Sequence, residues 1–125
     1  MSTRTDIVTA LKGHAPLSAI ISDRVFADAL PDETKGQVPA VVVRLIGGPP
    51  FQNGVGVVVA TTERWRITAW SETSAQRDSM VVPIQDALLT LWGDYEVTML
   101  EANSGMDERT RLRWHSQDLR LIGCV

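Results

Sequence analysis

One cysteine, Cys124, and two histidines, His14 and His115, are all the thiol and imidazole chemistry available in these 125 residues. A lone cysteine excludes an intrachain disulfide and any thiolate zinc site, and it fits a cytoplasmic folding compartment. Basic residues number 12 against 15 acidic, for a net charge of −3. Duplex binders usually carry a basic surplus, so nucleic-acid recognition as the main role is disfavoured. Lysine is nearly missing as well, since ten of the 12 cations are arginine. Arginine forks suit subunit interfaces, and a lineage bias in composition accounts for them equally well. No apolar run approaches a membrane span, and the N-terminus MSTRTDIVTALKGH has no long apolar segment before a cleavage site. Neither a signal peptide nor a membrane anchor is therefore expected. What remains, 44% hydrophobic and 22% charged, is ordinary for a globular chain of one domain spanning residues 1–125.

The most informative stretch is RVFADALPDETKGQVPAVVVRL, Arg24 to Leu45. A short strand at Val25-Phe26 runs into an acidic loop bracketed by Pro31 and Pro39. Pro39, lacking an N–H, suits the start of a strand. Ala40 to Ile46 is almost wholly apolar, as in a strand covered on both faces. Upstream, Thr3 to Lys12 predicts a helix, with Thr3 and Asp6 as a capping box and Ile7, Val8 and Leu11 on one face. Leu17 to Ile21 is a brief apolar turn or helical piece. Gly47-Gly48-Pro49-Pro50 ends the valine strand, and Phe51 to Gly56 reads as loop, with Asn53-Gly54 a turn dipeptide.

Val55 to Trp70 predicts a long strand, or two with a break near Ala60–Thr62, in which Trp65, Ile67 and Ala69 alternate with Arg64, Arg66 and Thr68. Thr73 and Gln76 form a capping box for a second helix, whose stripe is Val81, Ile84, Leu88 and Leu91. Pro83 lies inside that pattern and predicts a bend or restart. Tyr95, Val97 and Met99 mark another strand, Ala102 to Arg109 a polar turn, and Thr110 to Ile122 a last strand. In that strand Leu112 and Trp114 are expected inward and Arg111 and Arg113 outward. The fold class is α+β: a mostly antiparallel sheet, two main helices on one face, and a C-terminal β-hairpin.

No reactive group is assembled with a helper in sequence. His14 follows a helix-ending glycine, and His115 sits in a strand beside Trp114; the pair lacks metal-site spacing. Cys124 is next to the terminus without a base. Ser71, Ser74, Ser79 and Ser104 fall at helix starts and turns, where capping explains them. Asp28, Asp32 and Glu33 could hold a cation, although a solvated acidic loop accounts for them better. Gly47, Gly48, Gly54 and Gly56 precede neither a lysine-serine pair nor a helix, so they make no phosphate loop. Trp65, Trp92 and Trp114 read as core. Trp70, of opposite parity to Trp65, is the best exposed anchor.

With the elements placed, the chain resembles the tail terminator (tail completion) proteins of long-tailed bacteriophages. The likeness begins in DIVTALKGHAPLSAII and is strongest in RVFADALPDETKGQVPAVVV. It continues through TTERWRITAWSETSAQRDSMVVPIQDALLTL, where a W-x-I-x-A-W strand enters a serine- and threonine-rich cap and an amphipathic helix. It spans roughly Asp6 to Leu91; the final hairpin matches only in layout. Pro83 and the Gly47–Pro50 loop depart from the family pattern.

The resemblance implies a homo-oligomeric ring, commonly a hexamer, that ends polymerisation of the major tail tube protein. The ring would offer a surface to a head-completion or connector protein, at the head–tail junction of a virion assembled in the host cytoplasm. DNA would pass through without sequence-specific binding. No cofactor, metal or catalytic residue is implied, and no membrane partner. Candidate assembly-interface residues are Phe51, Trp70, Arg109, Arg111 and Arg113, with the loops Asp28–Val38 and Gly47–Gly56 reaching to neighbours. The rivals are another head–tail connector or a small α+β ligand-binding or enzyme domain with a pocket of converging polar groups.

Overall fold

A computed structural model describes residues 3–29, 38–47, 50–52 and 58–124, with side chains described outside 50–61 and 124. The loops expected to reach neighbours fall largely on residues 30–37, 48–49 and 53–57, outside the described residues.

Two helices open the chain, α1 (Thr3–Gly13) and α2 (Ala15–Ile21). Ile7 and Leu11, one turn apart on α1, are fully buried, with Val8 packed beside them. Thr3 is already helical, and its hydroxyl donates to Glu63 at 2.9 Å. Asp6 accepts a 2.5 Å bond from the Tyr95 hydroxyl. The expected capping box is thus replaced by two contacts that tie α1 to distant strands. The apolar piece after His14 is a helix outright, with Pro16 in its first turn and Leu17 and Ile21 buried.

Six strands follow: β1 (Val25–Ala27), β2 (Ala40–Gly47), β3 (Pro50–Gln52), β4 (Val58–Ser71), β5 (Glu96–Met106) and β6 (Arg113–Cys124). They form one sheet in the order β1-β2-β4-β6-β5, with β3 also on β4. Only β1–β2 is parallel. The Arg24 guanidinium donates to the Pro39 carbonyl at 2.8 Å, fixing the entry to β1 against the entry to β2. Ala40 to Val43 are buried, as their apolar run predicts, whereas Arg44 to Ile46 are exposed.

Between β4 and β5 lies α3 (Ser74–Leu89), followed by a 3-10 turn at Thr90–Gly93. Thr73 caps α3 by accepting the Gln76 N–H at 3.1 Å, and the helix runs through Pro83 without a restart. All three helices pack on one sheet face. Met80, Ile84, Ala87 and Leu88 meet Val41, Val43, Trp65, Ile67, Leu119 and Leu121 in one core. Gln85 reaches over from α3 to the buried Gln117, Nε2 to Oε1 at 3.3 Å, a polar bridge inside that layer.

Three expectations need correction. Pro50–Gln52 is strand, because it extends the β4 ladder beyond the end of β2. Of the two readings for Val55 to Trp70 the long strand holds: β4 is continuous through Ala60–Thr62, held there by β6 on its other side. Ala102 to Met106 is also strand: pairing with Gln117 through Arg113 overrides the turn-forming Asn103-Ser104-Gly105, and the turn is Asp107–Thr110. Finally, Trp92 is 53% exposed, and Trp114 is on the sheet face opposite the core.

Candidate assembly surface

Alternation along β4 and β6 sorts their side chains onto two faces. Trp65, Ile67 and Ala69 go to the helices, while Arg64, Arg66, Thr68 and Trp70 go outward. Their ladder partners on β6 are Arg120, Asp118, Ser116 and Trp114 respectively, so the same outward face carries these too. Arg44 of β2, opposite Arg66, and Arg120, opposite Arg64, widen the basic band.

Asp118 is the hub of this face. Its carboxylate takes Arg66 in a fork, Nε to Oδ1 at 2.8 Å and Nη2 to Oδ2 at 3.2 Å, and Arg64 Nη2 to Oδ2 at 2.9 Å. Only 4% of the Asp118 side chain is exposed, against 44% and 43% for the two arginines. Hydrogen bonding to Arg66 holds its carboxyl below the usual range, with Arg64 adding to the effect against the cost of burial. The same bond raises Arg66. Two half-exposed cations are thereby locked to one buried anion.

Past this cluster the two indoles Trp70 and Trp114 stand directly across the β4–β6 pair, both half-buried. With Arg66, Thr68, Asn103, Ser104 and Ser116 they line an open groove of about 440 Å³. Gly105 makes room for it: a Cβ there would lie 2.7 Å from Trp114 Cζ2, so the ring lies across β5 where only glycine fits. The far edge of β5 pairs with nothing among the described residues, and the strand carries a register shift between Met99 and Ala102.

The residues singled out in sequence scatter over this geometry. Trp70 is in the groove wall, on the parity expected of it. Phe51 is in β3, opposite Ala60. Arg109 lies in the β5–β6 turn, its N–H bonded to Asp107 Oδ1 at 2.9 Å. Arg111 sits just before β6 with φ at +63°, its N–H on the Asp107 carbonyl. Only Arg113 belongs to β6, opposite Ser71 and Met106, on the helix-side parity and donating to the Met106 sulfur. Arg109, Arg111 and Arg113 therefore do not share one strand, and the inward and outward assignments of Trp114 and Arg113 are reversed. The arginines that do converge, Arg44, Arg64, Arg66 and Arg120, were legible as an outward row only on β4.

One pairing invisible in sequence lies at the β5–β6 end. Ser104 Oγ is 2.7 Å from His115 Nδ1. Burial, then the nearby Arg77, pushes the imidazole below its usual pKa. A serine against an imidazole begins a nucleophile–base pair, but among the described residues nothing bonds the buried Nε2 to orient the ring. No cluster of three metal-ligating side chains occurs among the described residues, and no described helix is long and apolar enough to cross a membrane. Asp28 pairs with Arg4 at 3.2 Å; Asp32 and Glu33 lie outside the described residues.

A family profile described as "Tail completion protein gp17" matches residues 5–122. The chain belongs to the tail completion protein gp17 family. Membership makes it a structural protein of a phage tail. No curated protein sequence matches this tail completion protein significantly. Among solved structures, a chain of "Virion of native gene transfer agent (GTA) particle" superposes with a TM-score of 0.71 at 14% identity, covering 99% of this chain and 96% of that one, which shows a common fold. Two structures from Akkermansia muciniphila cover 66% of this chain and 44% and 41% of theirs, at 18% and 15% identity and TM-scores of 0.35 and 0.38.

Proposed function

We propose that this tail completion protein acts as a ring of identical subunits that caps the tail tube. The ring stops addition of the major tail tube protein and presents the surface to which a head-completion or connector protein binds, at the head–tail junction of the virion. Family membership is the observation that carries this reading. The outer face, uncovered among the described residues, gives it a physical basis: two indoles, an arginine band and a strand edge without a described partner are surfaces for holding neighbours rather than a pocket for turnover. Closing a ring takes a head-to-tail contact whose rotation returns to the start. DNA then passes through the ring, and the contacts it makes carry no sequence information.

Deleting the gene from an assembling phage tests this directly. Tails of uncontrolled length and unjoined heads are expected in electron micrographs, and supplying the protein in trans should restore particles. Infectious particles of normal tail length without the protein would overturn the proposal.

A further inference from the structure

Helix α3 is apolar on both sides. Its inner side fills the core, yet Val82 is 60% exposed, Leu89 45% and Trp92, just beyond the helix, 53%. Val82, Asp86 and Leu89 follow one another at spacings of four and three residues, so they share one outward stripe with Asp78 one turn earlier. A helix with apolar residues on opposite sides is normally covered on both. On the other surface of the molecule, the outer sheet face offers the Trp70–Trp114 groove beside Arg66. Arg44, Arg64 and Arg120 continue the band beyond Arg66 at one end of the groove, and the acids near that band among the described residues, other than the paired Asp118, are Glu96 and Glu101 on the β5 side.

We infer that the α3 stripe of one copy seats on the outer sheet face of the next, with Val82, Leu89 and Trp92 against the tryptophan groove and Asp86 toward the arginine band. The two patches complement each other in hydropathy and in sign of charge. They also lie on opposite surfaces of a helix layer and a sheet layer, so each copy offers one of each and joining them leaves a free patch at either end. Such a contact is head-to-tail, and it makes a ring when its rotation closes. The sizes agree: Val82 to Leu89 runs about 10 Å along the helix, and three adjacent strands span about 10 Å. Helix then covers sheet across the boundary much as it does within the subunit. The inference rests on the ring reading above and specifies which surfaces make it.

Two one-sided variants test it. Val82→Glu with Leu89→Glu disables the helix stripe; Asn103→Glu with Trp70→Ala disables the groove, Asn103 being exposed on β5. Circular dichroism and thermal melting confirm folding, and Asn103→Glu alone serves if the double variant melts early. Each variant by itself should self-associate at least about tenfold more weakly than wild type in sedimentation velocity, the loss of one buried anchor. Mixed together, they should form a one-to-one dimer and nothing larger, because each retains the face the other lacks. If the wild type forms rings while both variants do so equally well, or the mixture stays monomeric, the helix-on-sheet contact is wrong and the ring stands. A wild type that remains monomeric at millimolar concentration and occurs once per particle overturns both.

Discussion

The two faces of the sheet are built from alternate residues of the same strands, and they obey different rules. Inward, Trp65, Ile67, Ala69, Leu119 and Leu121 meet three helices and vanish from solvent. Outward, one residue over in each case, stand Arg64, Arg66, Thr68, Trp70, Arg120 and Asp118. The inner face is closed by burial, which is non-directional and tolerant of which apolar residue supplies it. The outer face is organised by directed bonds around Asp118, with its large apolar groups, Trp70 and Trp114, held at the surface. Folding depends mainly on the first face.

The sharpest way to break the contrast is to truncate neighbours on opposite faces. Ile67→Ala should lower stability by about 2–5 kcal/mol, since it empties a fully buried site, whereas the adjacent Thr68→Ala should stay within about 1 kcal/mol; urea unfolding of both distinguishes the faces.

Asp118→Asn comes next, at about 1–3 kcal/mol, because it strips charge from a buried acceptor of three arginine bonds. It should also change the acid limb of stability. The folded carboxyl titrates below its unfolded value, so its contribution is complete above about pH 4, the unfolded value, and drains away as pH falls through the depressed folded value. The Asn variant should lose stability less steeply across that window in acid titration.

Gly105→Ala places a methyl 2.7 Å from the Trp114 ring and should cost about 1–3 kcal/mol. Trp114→Leu in the same chain should recover part of it, which a double-mutant cycle reads. Smallest is Thr73→Ala, at about 1 kcal/mol, the loss of the α3 cap on the inner layer.

A fifth expectation concerns pH near neutrality. Because burial lowers the His115 pKa, the unfolded chain binds its proton first, and stability should decline as pH drops below about 6.5 toward the folded value. His115→Gln should flatten that decline in thermal melts.

The inner face was readable in sequence because burial leaves a period. Trp65, Ile67 and Ala69 at every second place, Ile7 and Leu11 one turn apart, and Thr73 before a helical stripe each announce their element locally. The outer face was not, and the reasons are physical. Asp118 is 52 and 54 residues from the arginines it holds, and no local pattern encodes a pairing of that span. In β6 the usual cue is inverted toward the N-terminal end, where polar Arg113, His115 and Gln117 share the helix-side parity and Trp114 the other. Asn103-Ser104-Gly105 carries the composition of a turn, and only the β6 ladder and the indole above Gly105 make it strand. The outward placement of Trp70 was legible because its parity against Trp65 is local information. Its cross-strand partner was not, since that depends on which residues of the hairpin oppose each other.

The register shift within β5 has a bearing of its own. Residues 96–99 and 102–106 keep step with β6 as two separate runs, and the ladder slips where they meet. A foreign strand laid along this border could follow one run but would fall out of phase at the other. This border therefore offers only short runs of regular pairing and makes a poor template for an endless ribbon.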